Sequence, residues 1–322
     1  MVLPPDPSGG AALAQFAAMP FGTWLFACLL ASGVCTGPTV PPQNPGAPLA
    51  TAVVAPQDEP NDDSQLVLAE PDYAVVNLPT TLRLPKWGQS FRLTHRFLDN
   101  LRVGTFLDHL DDVFGLDNGA VIALEYRISP IRNTQFVFFR NNVDKTIMFS
   151  GRWDFLRQAG RMPVAASAIV SIEGTRNFRA GHDEDDVDSE EHQHGDNGGQ
   201  RSPSVGAVFS RTLGTRVAMY AMPMWVHNTR PAGGDQQDTG YMGLATRARI
   251  RSKVYIVAEM SPRFFGYAPG TMEYGFGIER RAGGHMFQLT FTNATAGAYG
   301  QLARGGFPST LLLGFQLSRK FF

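Results

Sequence analysis

Residues His285-Met286-Phe287-Gln288-Leu289-Thr290-Phe291-Thr292 change character at every step. Phe287, Leu289 and Phe291 fall on one side of an extended chain, and Met286, Gln288, Thr290 and Thr292 on the other. A period of two marks a β-strand with unlike faces. The pattern recurs on both sides of this stretch. In 253–260, Val254, Ile256, Ala258 and Met260 oppose Lys253, Tyr255, Val257 and Glu259. In 242–250, Met242, Leu244, Ala248 and Ile250 oppose Arg247 and Arg249. In 311–317, Leu311, Leu313, Phe315 and Leu317 oppose Gly314 and Gln316.

Working outward predicts strands at 90–97, 120–128, 134–141, 145–157, 163–174, 204–212, 215–227, 239–250, 253–264, 271–280, 284–292 and 310–321. Most are close to the length, about 9–11 residues, with which a tilted strand crosses a bilayer. Alternation is common to soluble barrels, which bury the apolar face, and transmembrane barrels, which turn it to lipid. The links favour the second. From the sixth strand onward, short links (213–214, 251–252, 281–283) alternate with long ones (228–238, 265–270, 293–309), after a first long link at 175–203. Tight turns on one rim and long loops on the other characterise outer-membrane barrels. An even strand count puts both ends on the short-turn, periplasmic side. Segment 98–119 breaks the period and is predicted to be a short helix or an ordered loop. The predicted fold is all-β: a closed antiparallel transmembrane barrel of twelve strands.

Composition agrees. Over 322 residues the mean hydropathy is -0.14 and 18% of residues are charged, which excludes a polytopic helical membrane protein. The 34 Gly and 23 Phe lean toward β structure. The net charge of -1 conceals an asymmetry. No Lys or Arg precedes Arg83, whereas Asp6, Asp58, Glu59, Asp62, Asp63, Glu70 and Asp72 do. The domain reading has three parts. Residues 1–34 are signal-peptide-like: an apolar run from Phe16 to Val34, small residues Ala31, Ser32 and Gly33, and no positive start. A retained anchor helix is the alternative there. Residues 35–75 are expected to be a disordered Pro-rich linker hanging in the periplasm. Residues 76–322 are the barrel. Cys28 and Cys35 both lie in or beside the leader, so cleavage leaves no disulfide scaffold in the body. The chain ends Phe321-Phe322 on an amphipathic strand, the kind of end the barrel-insertion machinery reads. Leu313, Phe315 and Leu317 are in phase with Phe321, and Arg319 interrupts them.

Several strings look familiar: His95-Arg96-Phe97, Phe114-Gly115-Leu116-Asp117, Leu124-Glu125-Tyr126, His227-Asn228, and the run from Gly283 to Asn293. In that run Gly283, Gly284, His285, Phe287, Gln288, Phe291 and Asn293 are the signature. Their order and spacing over 76–322 resemble the bacterial β-barrel family catalogued as domain of unknown function 5777. The resemblance implies an outer-membrane-like barrel of unassigned activity and brings no catalytic residues. The long Pro-rich leader and the acidic segment 182–196 depart from the family's pattern.

Charged residues on the polar faces are the candidates for lining a lumen: Arg92, Arg96, Glu125, Arg127, Arg152, Asp154, Arg247, Arg249, Glu259, Glu273 and Glu279. They either line a channel or pair across a plugged one. The segment His182 to Asp196 holds eight acids with His182, His192 and His194. Carboxylates suit Ca²⁺ or another divalent cation, so His182, Asp185, Asp186, His192 and His194 form a candidate metal site; a solvated loop is the plainer reading. His95, His227 and His285 are candidates for a shared metal or for structural roles at strand ends. No catalytic elbow, zinc-protease motif, phosphate loop or Cys-x-x-Cys occurs. The expectation is a porin-like barrel of the bacterial outer membrane, not an enzyme and with no cofactor: a passive pore, or a structural or transport-associated component. Its expected partners are the lipid bilayer, lipopolysaccharide and the insertion machinery, and not nucleic acid. A surface divalent-cation binder and a barrel hydrolase are the alternatives.

Overall fold

The computed structural model describes residues 67–111, 119–178, 200–229, 236–295 and 297–321. The predicted signal-peptide segment, Cys28 and Cys35, residues 35–66 of the linker, the acidic metal candidate at 182–196, Phe114-Gly115-Leu116-Asp117 and Phe322 lie outside these. Among the described residues no helix is long and apolar enough to cross a membrane.

The strands are β1 (Gln89–Asn100), β2 (Ala120–Ile128), β3 (Thr134–Asn141), β4 (Ile147–Leu156), β5 (Ala165–Gly174), β6 (Arg201–Leu213), β7 (Val217–Val226), β8 (Thr239–Arg251), β9 (Val254–Ser261), β10 (Arg263–Phe265), β11 (Glu273–Ala282), β12 (His285–Thr292) and β13 (Leu312–Phe321). All pairings between them are antiparallel. Sequential neighbours pair, β9 skips to β11, and β8 pairs with β9. The ring is sealed where β1 meets β13, with Leu93 opposite Leu317 and His95 opposite Phe315. β10 continues β9 beyond Pro262, which cannot donate to a ladder, and adds a short pairing to β8. The rest form a closed barrel of 12 strands.

Burial shows which face is which. Phe91, Leu124, Phe136, Phe149, Trp153, Val170, Met219, Ile256, Phe276, Phe287 and Phe315 are exposed on the outside. Arg96, Arg247, Glu273 and Glu279 have 1% exposure or less on the inside. A soluble barrel would invert this order; burying charge while exposing Phe and Ile is favourable only where the outer medium is hydrocarbon. The barrel is therefore transmembrane. Short turns at 129–133, 157–164, 214–216, 252–253 and 283–284 share one rim with Gln89 and Phe321. Gly283 has φ +57, a left-handed value suited to glycine in the two-residue β11–β12 turn. The links at 101–119, 142–146, 175–200, 227–238, 262–272 and 293–311 occupy the other rim, and all but 142–146 are longer than any of these turns.

Two of the long links carry helices. In the first, α1 (Phe106–Asp111) realises the expected short helix. Thr105 N donates to Asp108 Oδ2 at 2.6 Å and Asp108 N donates to Thr105 Oγ1 at 3.3 Å, a reciprocal cap. The Thr105 N–H holds the exposed Asp108 carboxyl below its ordinary value. In the link between β12 and β13, α2 (Tyr299–Arg304) turns inward, and Tyr299, Gly300, Gln301, Leu302 and Ala303 are buried.

The chain ahead of β1 is the main departure from expectation. A linker was expected to run to residue 75 outside the barrel. Instead Ala69 to Val76 are all buried, and the segment reverses at an Ala74–Pro79 bridge. It folds as a hairpin inside the barrel, so the expected boundary at residue 76 falls at its tip.

Candidate functional site: the filled lumen

The hairpin has little regular structure of its own, so its main-chain groups need partners inside the barrel. The wall supplies them. Arg247 on β8 donates to Asp72 O at 3.4 Å and to Ala74 O at 2.5 Å. Gln288 on β12 donates to Val75 O at 2.6 Å. Arg92 on β1 and Gln316 on β13 both donate to Val76 O, at 3.2 and 3.0 Å. Arg152 on β4 donates to Thr80 O and Leu82 O, and Gln135 on β3 reaches Leu82 O at 2.9 Å. Near the short-turn rim, Lys320 donates to Pro71 O and Ser318 Oγ to Asp72 Oδ2 at 2.7 Å.

The hairpin tip is held from β9. Glu259 accepts three consecutive main-chain N–H groups: Val76 at 2.9 Å, Asn77 at 2.7 Å and Leu78 at 3.1 Å. Three convergent donors match one carboxylate, the strong charge-assisted form of the bond. Asn77 extends the cluster. Its Nδ2 donates to Glu273 Oε1 at 2.9 Å, and its Oδ1 accepts from Arg96. Arg96 also donates to Ala294 O at 3.1 Å, in the link that carries α2. A Cβ on Gly297 would stand 2.9 Å from Asn77 Oδ1, so glycine permits this close approach. The hairpin and the inward-turned link thus enter from opposite rims and meet at Asn77.

α2 is fastened separately. Gly300 N donates to Glu173 Oε2 at 2.7 Å, and Arg304 Nη2 reaches Glu173 Oε1 at 3.4 Å. Gln301 exchanges bonds with Asn141 and donates to Thr146 Oγ1 at 3.2 Å. Outside this closure a cavity of about 440 Å³ borders Tyr267, Arg304, Phe307 and Asp144.

The remaining inward charges pair. Arg247 meets Glu279 at 2.7 and 2.8 Å. Glu125 lies between Arg92 and Arg127, 2.9 Å from each. Arg152 Nε lies 2.9 Å from Asp154 Oδ1. Of the eleven lumen candidates, Arg92, Arg96, Glu125, Arg127, Arg152, Asp154, Arg247, Glu259, Glu273 and Glu279 point into this network. Arg249 does not: it lies at the short-turn rim, where its Nη2 bonds Thr215 Oγ1 at 3.0 Å. Its phase is inward, but it lies at the end of β8, opposite Tyr255 and one residue beyond the last β7 partner, Ala248. Of the channel and the ion-paired plug, the described residues form the plug.

The signature residues divide by face. Gly283 and Gly284 make a turn, and Phe287 is exposed outside. Gln288 holds the hairpin. Phe291 stacks on Phe276 at 5.4 Å. Asn293 bonds the ends of the β11 and β12 region, accepting from Tyr274 N at 2.8 Å and donating to Met272 O at 2.9 Å.

The three histidines do not converge. His95 stacks on Phe315 at 5.0 Å, His285 lies opposite Arg319 beside the short-turn rim, and His227 is at the other rim. His227 Nδ1 lies 2.6 Å from Asp238, and His109 Nδ1 is equally close to Asp99. Among the described residues no Ser hydroxyl joins either pair. No cluster of three or more potential metal ligands occurs among the described residues.

Gln135, Gln316, Ser318 and Lys320, and also Glu173 and Gln301, hold the closure and were not singled out in the sequence. The first four are polar residues in inward phase, and that phase was the signal available.

A family model described as a membrane-bound beta barrel domain, domain of unknown function 5777, matches residues 72–321. The chain belongs to this family. The match begins inside the hairpin, so the plug strands belong to the family domain together with the wall. No curated protein sequence matches the chain. Solved outer-membrane structures resemble this domain distantly. Omp33 of Acinetobacter baumannii is 6% identical with a TM-score of 0.38, over 73% of this chain and 99% of that one. The outer membrane channel DcaP of the same species is 10% identical with a TM-score of 0.31, over 73% and 71%. LpxR from Salmonella typhimurium is 10% identical with a TM-score of 0.33, over 73% and 99%.

Proposed function

We propose that this domain lies in the bacterial outer membrane as a transport-associated barrel that is closed at rest, and is not a constitutively open pore. The observation that carries the reading is the hairpin in the lumen, held by side chains from β1, β3, β4, β8, β9, β12 and β13. The outer-membrane assignment is supported by the family description and by short and long links that alternate from β4 to β13. Hydrogen bonds hold the hairpin in the lumen, to its main chain and to the Asp72 and Asn77 side chains, so it can leave while the interstrand ladders that close the wall stay intact. A wall lined by paired charges offers a polar path once the hairpin leaves.

Conductance in planar bilayers tests this. The intact protein is expected to be silent or to open rarely. A variant with residues 70–82 replaced by a flexible Gly-Ser linker is expected to conduct in steps, provided heat-modifiable gel migration shows it folded. Steady conductance from the intact protein would restore the passive pore. A folded but insulating linker variant would rule out the hairpin as the closure.

A further inference from the structure

The two rims differ in charge. At the short-turn rim Lys86, Arg132, Arg157, Arg161, Arg211, Arg216, Arg251, Lys253, Arg280 and Arg319 are all exposed, and they recur around the ring from the approach to β1 to the end of β13. The turn segments 85–89, 128–134, 156–165, 210–218, 248–254, 280–286 and 318–321 contain no Asp or Glu. None of the ten exposed bases forms an ion pair among the described residues; the acids nearest in sequence, Asp154 and Glu279, face inward and are committed to Arg152 and Arg247. The other rim is mixed, with Asp99, Asp108, Asp144 and Asp238 beside Arg102, Lys145, Arg176 and Arg201, and the acidic run 183–196 follows β5.

Position along the strands says what the basic rim meets. Arg157 continues the outward series Trp153, Phe155; Arg211 follows Phe209; Arg280 follows Phe276; and Arg319 lies between Phe315 and Phe321. Arg319 packs over the Phe321 ring at 5.1 Å. Each of these bases caps an apolar, lipid-facing column. Long cationic side chains at that level lay their methylenes on the apolar surface and deliver the charge to the headgroups. Ten cations without an acid among them match a surface of phosphodiesters, and such attraction is short-ranged and salt-dependent.

We infer that the short-turn rim is an anionic-phospholipid binding belt, in which Arg157, Arg211, Arg280 and Arg319 contact lipid phosphates from the outer wall. The belt needs only the transmembrane barrel and is independent of the hairpin's role as a closure. It also orients the protein: the short-turn rim seats on the leaflet that carries anionic glycerophospholipid.

The test uses the full chain in vesicles that contain brominated lipid, with Trp87 and Trp153 near this rim as reporters. Brominated phosphatidylglycerol is expected to quench several-fold more effectively than brominated phosphatidylcholine at low salt, and the preference should shrink at 0.5 M NaCl. The combined variant Arg157→Gln, Arg211→Gln, Arg280→Gln and Arg319→Gln should bring the ratio close to one while keeping heat-modifiable migration. If that variant does not fold, the four single variants are measured, each with an expected partial loss. Equal quenching of the intact protein by the two lipids overturns the inference. So does a preference that survives the substitutions.

Discussion

Arg247→Ala is expected to cost the barrel domain about 3–5 kcal/mol, the range for removing one partner of a buried ion pair. Arg247 has 0% exposure, and one guanidinium serves three clients: Glu279 on the wall and the carbonyls of Asp72 and Ala74 in the hairpin. Truncation leaves a carboxylate with 1% exposure and no cation, and takes the Arg247 donor from Ala74 O, while Asp72 O keeps its bond from Thr80 Oγ1 at 2.9 Å. The measurement is urea unfolding of the detergent-folded protein, followed by the gel-migration shift. Arg247→Ala with Glu279→Leu should recover part of the loss, because the stranded charge is gone while Ala74 O still lacks the Arg247 donor. A single variant as stable as the parent would mean that water reaches this part of the lumen and takes over the role of Arg247.

Glu259→Ala should act on the hairpin more than on the wall. It removes the acceptor for three N–H groups at once, and each buried unsatisfied donor costs about 1–3 kcal/mol. Because those donors belong to the hairpin, the variant can relieve the penalty by letting the tip leave. The expected outcome is a folded barrel with frequent conductance steps. A thiol at the tip, Leu78→Cys in a background of Cys28→Ser and Cys35→Ser, should react with a polar reagent at least tenfold faster than it does with Glu259 present. Glu259→Gln is expected to fall between, since one carboxamide oxygen still accepts while its NH₂ faces donors. A tip thiol equally slow in all three would show that Asn77, Arg96 and Glu273 hold the hairpin without Glu259.

The wall was legible because its message is repeated. Ring closure forces each strand to show lipid on one side and the interior on the other, so Phe276, Phe287 and Phe315 carry the same information as Met286, Gln288 and Gln316 in opposite phase. Arg247 and Glu259 could be placed on the inner face from their neighbours alone. The hairpin had no such redundancy. Glu70-Pro71-Asp72-Tyr73-Ala74-Val75-Val76-Asn77-Leu78-Pro79 is short, holds two prolines and follows a Pro-rich tract, so composition reads its first six residues as linker and the boundary cuts it at residue 76. Most of its attachments run from wall side chains to its main chain, which is alike at every residue and leaves little trace in the sequence. α2 was hidden for a related reason. Its six residues lie between Gly297 and Gly305, and its partner Glu173 comes from a strand far away in the chain. The pairing of inward charges was open in the sequence because phase gives the direction of a side chain but not the distance across the interior.

The seam between β1 and β13 has a consequence for how the molecule is made. The wall's first and last strands are neighbours, so the ring stays open until residues 312–321 are in place. The hairpin directly precedes β1 and is already tethered to one lip of that opening. Before closure it can be laid against β1 from the side; afterwards its only way in is end-on, through the mouth beside Gln89. Side entry makes sealing the ring and packing its interior a single step, with Arg92, Gln316 and Ser318 along the two seam strands as the first groups to grip. The seam thus joins the two ends of the wall at the place where the hairpin enters, so the groups that close the ring and those that hold its contents share β1 and β13.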